Sequence, residues 1–209
     1  LYTSDHGEQV GEHGLWWKQT FYEDSVRVPA VLSWPGRLPE GERCGRVTSS
    51  LDLNATMLDA LECPPLPHSR GRSLLPLLRE PGTAGWEDVA FSEFCLDKAG
   101  AAGPVAGEVV QRMVRRGPWK LNYYDGQPCQ LFHLEEDPRE TRDRAADPAC
   151  AGVRADLERL VLDGWDPAWV RDQMARRREE GRVLAEWGRR VQPPDVCRWD
   201  LRPEMDYLD

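Results

Sequence analysis

Ser4-Asp5-His6-Gly7-Glu8 stands at the start of the chain, and Gly14-Leu15-Trp16-Trp17-Lys18, Phe21-Tyr22-Glu23, Arg27-Val28-Pro29 and Pro35-Gly36 follow it within the first 36 residues. A mixed start at Tyr2 and Thr3, then a polar cluster, then Gly7 reads as a strand running into a tight loop. In open parallel α/β sheets, ligands bind at the carboxyl ends of strands. Asp5 and His6 are adjacent and both can hold a metal, the carboxylate suiting a hard divalent cation and the imidazole tolerating one. One such pair does not complete a site, because calcium takes about six to eight oxygen ligands. Taken alone, the tetrapeptide reads more readily as a polar turn with Asp5 hydrogen bonding to nearby backbone.

Lys18 follows His6 in a loop that also holds Gly7, Gly11 and Gly14. The chain has three lysines against 24 arginines, so a lysine retained at this place is notable. An ammonium beside a metal is a natural clamp for a tetrahedral oxyanion, although most single lysines are solvated. Trp16 and Trp17 either wall a pocket or pack the loop onto the domain. His13 either touches substrate or serves as a structural hydrogen bonder. Glu8 and Glu23 are candidates for orienting His6 or Lys18, since ligating imidazoles usually donate their second N–H to a carboxylate or carbonyl. Arg27 is the candidate partner of one of those acids.

The order of these blocks resembles the late part of the catalytic domain of sulfatases, hydrolases of the alkaline-phosphatase-like superfamily. The resemblance continues through residues 28–36 as a strand ending in Pro-Gly, residues 50–61 as a helix, and Gly71-Arg72-Ser73-Leu74 as the segment closing the main domain. It runs on through Trp119-Lys120-Leu121 and Leu131-Phe132-His133-Leu134 in a smaller second domain, and it spans most of residues 1–165. It implies Asp5 and His6 as metal ligands, with Ca2+ the leading cation and Mg2+ or Mn2+ alternatives, and Lys18 as the contact to the sulfate group. The His6-to-Lys18 spacing leans toward the choline-sulfatase and phosphonate-monoester-hydrolase branch. His133 stands where that family usually has Asp and is given no metal role.

The same resemblance implies a formylglycine nucleophile made from Cys or Ser in a Cys-x-Pro-Ser-Arg or Cys-x-Ala-x-Arg motif. None of the six cysteines fits it. Cys150 and Arg154 have the right separation but carry Gly152 where Pro or Ala belongs, so Cys150 reads as ordinary. The expected fold is therefore the C-terminal part of an alkaline-phosphatase-like α/β sandwich domain, truncated, followed by a small antiparallel sheet subdomain with helices. The expected function is a sulfuric ester hydrolase acting on a small sulfate ester, with the nucleophile half absent and the chain inactive by itself. The alternatives are a phosphonate or phosphodiester hydrolase of the same superfamily, or a non-catalytic, truncated or degenerate copy.

Composition narrows the partners. A net charge of −9 and pI near 5.1 argue against nucleic acid, whose binders carry basic stripes. A mean hydropathy of −0.62 without a long apolar run argues against a membrane span. No targeting segment is legible, and the cysteines show no zinc spacing. Residues 1–80 read as the end of the catalytic domain, residues 81–107 as a connector around one strand at 89–96, and residues 108–165 as the small sheet plus a helix at 151–163. Residues 166–209 read as a long helix, apolar at Trp169, Val170, Met174, Leu184 and Trp187, followed by a tail that is the candidate contact in a homo-oligomer. Residues 28–34 read as a buried parallel strand because they are nearly continuous in apolar residues.

Overall fold

The computed structural model describes residues 1–80, 85–97 and 108–192. Its larger organised unit is a four-stranded antiparallel sheet of β3 (Val89–Asp97), β4 (Glu108–Arg116), β5 (Trp119–Tyr124) and β6 (Gln130–His133), in the order β3-β4-β5-β6. The strand expected within the connector is thus the first strand of the sheet, paired along its length with β4 from Val89↔Arg116 to Asp97↔Glu108. Gly117, at φ 55°, supplies the left-handed residue that turns β4 into β5.

Alternation along these strands gives the sheet two different faces. Val114, Leu121 and Leu131 lie opposite one another and join Leu157 and Val161 of helix α4 (Ala151–Leu162) and Cys150 in one core. The other face carries Arg115, Lys120 and Phe132 in register, and it meets the N-terminal segment at Phe21 and Glu23. Helix α5 (Pro167–Val191) is capped by Asp166, whose carboxylate accepts the Ala168 amide at 2.9 Å.

The N-terminal segment holds a two-stranded ribbon of β1 (Tyr2–Thr3) and β2 (Ala30–Val31), helix α1 (Glu23–Val26), helix α2 (Ser50–Ala60) and helix α3 (Leu75–Arg79). Helix α2 begins in a capping box: the Ser49 amide donates to the Asp52 carboxylate at 2.8 Å. The second Asp52 oxygen accepts the Arg72 amide at 2.9 Å, which draws the chain leading into α3 onto α2. Leu53, Leu74 and Leu77 form the small core beneath. The strand expected over residues 28–34 is only two residues long, pairs antiparallel with β1, and leaves Val31 58% exposed. An apolar run reports a capacity for burial, but among the described residues this strand has only the short β1 beside it. The tail after Gln192 lies outside the described residues.

Candidate active site

Strand β1 delivers Ser4, Asp5 and His6 into a tight loop. The Ser4 hydroxyl donates to the His6 carbonyl at 2.8 Å. Gly7 then packs so closely on α1 that a Cβ there would stand 1.9 Å from the Asp24 carbonyl oxygen, and its amide donates to the Ser25 carbonyl at 2.8 Å. Only glycine permits this approach, and the approach fixes where His6 points.

The His6 ring is oriented by its own loop. Its Nδ1 lies 2.7 Å from the Gly7 carbonyl oxygen, which can only accept, so the proton sits on Nδ1. In the neutral ring Nε2 is then the lone-pair nitrogen. Lys18 Nζ is 2.6 Å from that nitrogen, and Asp5 Oδ2 is 3.3 Å from it. Partial desolvation acts to raise the Asp5 carboxyl, but a hydrogen bond from its own amide and the nearby His6 and Lys18 outweigh it and hold the group below its usual range. Asp5, His6 and Lys18 therefore converge, and all three line a crevice of about 520 Å³ between the N-terminal segment and the β3–β4 face.

The neighbours anticipated from sequence stand elsewhere. Glu8 is exposed and bonds neither His6 nor Lys18, because the Gly7 carbonyl already takes the ring N–H. Glu23 lines the crevice, but its carboxylate is held by Lys120 at 3.0 Å and Arg115 at 3.2 Å. Arg27 lies exposed on the crevice wall and pairs with neither acid. His13, at φ 53°, turns away and stacks on Tyr22 with ring centroids 3.9 Å apart. Trp16 and Trp17 are both exposed and do not line the crevice. Cys150 is a core residue against Val114 and Leu157, in keeping with its reading as ordinary.

Several positioning residues carried no sequence signal. Gln9, 1% exposed, donates to Thr20 Oγ1 at 3.0 Å and to Ser25 Oγ at 2.9 Å, closing the loop that carries Lys18. Lys120, fully buried on β5, donates to the Phe21 carbonyl at 2.7 Å and pairs with Glu140 at 2.5 Å. Glu140 in turn accepts the Glu23 amide at 2.6 Å. Helix α1 is thus bolted to the sheet, and α1 holds Gly7.

For a divalent cation, the donors present are a solvent-facing carboxylate and the Nε2 lone pair, side by side. Their chemistry suits such an ion. Among the described residues no group of three or more His, Cys, Asp or Glu gathers to hold one. Among the same residues, no helix is long and apolar enough to cross a membrane.

Comparison with known proteins places the chain in a family. A family profile described as N-sulphoglucosamine sulphohydrolase, C-terminal, matches residues 11–164, a span that takes in Lys18 and the whole sheet. The chain is 35% identical over 188 residues to a choline-sulfatase of Rhizobium meliloti (strain 1021), a match covering 85% of this chain and 34% of that protein. It is 36% identical over 149 residues to arylsulfatase K of Gallus gallus, covering 67% of this chain and 26% of that protein. The crystal structure of phosphonate monoester hydrolase of Agrobacterium radiobacter superposes with a TM-score of 0.66 at 31% identity, covering 82% of this chain and 34% of the other. The chain thus spans about a third or less of the length of these relatives. On these matches and this geometry, the chain belongs to the sulfatase family and carries the C-terminal portion of its alkaline-phosphatase-like fold.

Proposed function

We propose that this chain supplies the Asp5–His6–Lys18 part of the active site of a sulfatase that hydrolyses a small sulfate monoester. The observation that carries the reading is the convergence of the three side chains on one crevice, with the His6 proton on Nδ1 and the lone pair left on Nε2. Asp5 and His6 would hold a divalent cation, Ca2+ first among the candidates. When bound there, such a cation supplies Lewis-acid stabilisation of charge on the ester's sulfate oxygens.

The chain's own residues do the rest of what is assigned to it. Lys18 presents an ammonium on the His6 side of the crevice, where it would donate to a sulfate oxygen and neutralise the charge that grows as the S–O bond breaks. The Gly7 carbonyl keeps the imidazole in the tautomer that leaves the lone pair on Nε2, beside Lys18. The α1–sheet bolt holds this arrangement without reorganisation. The nucleophile, formylglycine by family resemblance, is assigned to no residue of this chain.

A phosphonate monoester hydrolase is the second reading, favoured by the 31% identity to such an enzyme over 82% of the chain. Parallel assays of the native protein with an aryl sulfate and an aryl phosphonate monoester separate the two. The sulfatase reading expects the sulfate ester to be turned over with the higher kcat/KM, and a clear preference for the phosphonate overturns it in favour of the second.

A further inference from the structure

Among the described residues, helix α5 meets the rest of the chain with one of its two faces. Arg171, Met174 and Arg178 follow one another at helical spacing on the side that meets β3 and β4. There Arg171 pairs with Asp125, and Arg178 pairs with Glu108 at 3.0 Å. On the opposite side, Trp169, Gln173, Arg176, Glu180, Val183 and Trp187 succeed one another in alternating steps of four and three. That is the spacing of a coiled-coil seam. Trp169 is 61% exposed, Val183 63% and Trp187 54%, and Val191 extends the stripe by one turn. At 1.5 Å per residue the 25-residue helix is about 37 Å long, enough for three heptads.

The order of residues along the seam determines what it fits. It is apolar at both ends and carries one positive and one negative charge in the middle. Laid antiparallel against itself about a two-fold axis at residue 178, Trp169 meets Trp187 of the second copy, Gln173 meets Val183, and Arg176 meets Glu180, each contact occurring twice. Laid parallel, the seam would set Arg176 on Arg176 and Glu180 on Glu180, which like-charge repulsion disfavours. Within one helix Arg176 Nε already bonds Glu180 Oε1 at 3.0 Å. The remaining guanidinium N–H groups and the second carboxylate oxygen stay available, so two copies would close a four-member charge cluster. Each tryptophan carries about 150–250 Å² of surface. With Trp169 61% and Trp187 54% exposed, the two have about 170–290 Å² per copy left to bury, roughly a quarter to a third of the ~800 Å² per partner of a standard interface.

We infer that the outward face of α5 is a self-complementary docking surface, and that its occupant is the same face of a second copy of this chain, antiparallel. The contact is isologous and closes as a dimer. It is independent of the catalytic reading, since no residue of the seam lines the Asp5–His6–Lys18 crevice.

The test is sedimentation velocity of the chain across concentration, with two charge variants. Wild type is expected to sediment as a dimer of about twice 23.8 kDa. Arg176→Glu and Glu180→Arg, each alone, oppose like charges twice across the axis and should raise the dimer Kd by ~10-fold or more. An equimolar mixture of the two variants restores opposite charges across the interface, although neither helix regains its internal pair. The mixture should therefore dimerise again. Helicity by circular dichroism is expected to be equal in all samples, which separates loss of docking from loss of the helix. Ending the chain at Gln192 should leave the dimer intact. A wild type that stays monomeric at high micromolar concentration, a dimer indifferent to both variants, or a dimer lost on removing residues 193–209 would each overturn the proposal.

Discussion

Replacing Lys120 by methionine removes a positive charge that the fold has buried completely. Its ammonium bonds the Phe21 carbonyl at 2.7 Å, Glu23 at 3.0 Å and Glu140 at 2.5 Å. Methionine fills similar volume, so the cost is electrostatic rather than a cavity. Glu140 is left desolvated, and Glu23 keeps only Arg115 at 3.2 Å. Removing one partner of a buried ion pair costs about 3–5 kcal/mol. For a chain of this size each kcal/mol moves Tm by roughly 2–4 °C, giving a loss of roughly 6–20 °C. The loss should depend on pH. Burial raises the Glu140 carboxyl above its ordinary 4.5, and Lys120 is the main influence pulling it back down. Without Lys120 it rises further. A carboxyl whose folded pKa lies above its unfolded value costs stability as pH climbs past the unfolded value, and that cost is relieved when it is protonated. The Tm gap between wild type and Lys120→Met is therefore expected to be wider at pH 8 than at pH 5. Thermal unfolding followed by circular dichroism reads both quantities. A gap below about 2 °C, or one that widens as pH falls, would refute the reasoning.

Further expectations follow from other contacts. Gly7→Ala forces a Cβ into the Asp24 carbonyl and should cost about 1–3 kcal/mol in denaturant unfolding; an unchanged midpoint would show that the loop yields freely. Cys129, desolvated and beside Glu158, has its thiol pushed up to about 11. At pH 8 only about one part in a thousand is thiolate, so alkylation by iodoacetamide should reach exposed Cys44 and Cys63 well before Cys129, as read by peptide mass spectrometry. The Asp147 carboxyl lies below its usual 3.8 because it accepts the Ala149 amide and pairs with Arg144. Its stabilising effect is complete above that value and fades as pH falls through the lowered pKa. Asp147→Asn should accordingly flatten the acid limb of the stability profile, and an unaltered limb would contradict the assignment.

The site loop was legible in the sequence because its cues are local. A polar cluster ends in Gly7, and Lys18 follows in a glycine-punctuated loop, which marks Asp5, His6 and Lys18 as candidates, while their roles came only from the resemblance to sulfatases. The small sheet expected over residues 108–165 was equally plain, since β4 and β5 flank the turn residues Gly117 and Pro118. What holds the loop in place was hidden. Glu23 meets Lys120 across 97 positions and Glu140 across 117, and no periodicity records such pairs. Glu23 was consequently read, with Glu8, as a candidate for orienting His6 or Lys18, when it is held by Lys120 and Arg115 and the Gly7 carbonyl one residue away serves the His6 ring. Residues 28–34 show the complementary error. Apolar composition reveals that a segment can bury a face, whereas β2 and the outer side of α5 remain exposed in this chain.

Lys18→Ala in the native protein tests the central claim most directly, with sulfate-ester hydrolysis and the unfolding midpoint measured side by side. The ammonium is exposed and bonded only to His6, so the account predicts an unchanged midpoint and a fall in kcat of about 10²–10³-fold. Undiminished turnover of the sulfate ester would contradict the placement of Lys18, and with it the reading of the Asp5–His6–Lys18 crevice as the sulfate site.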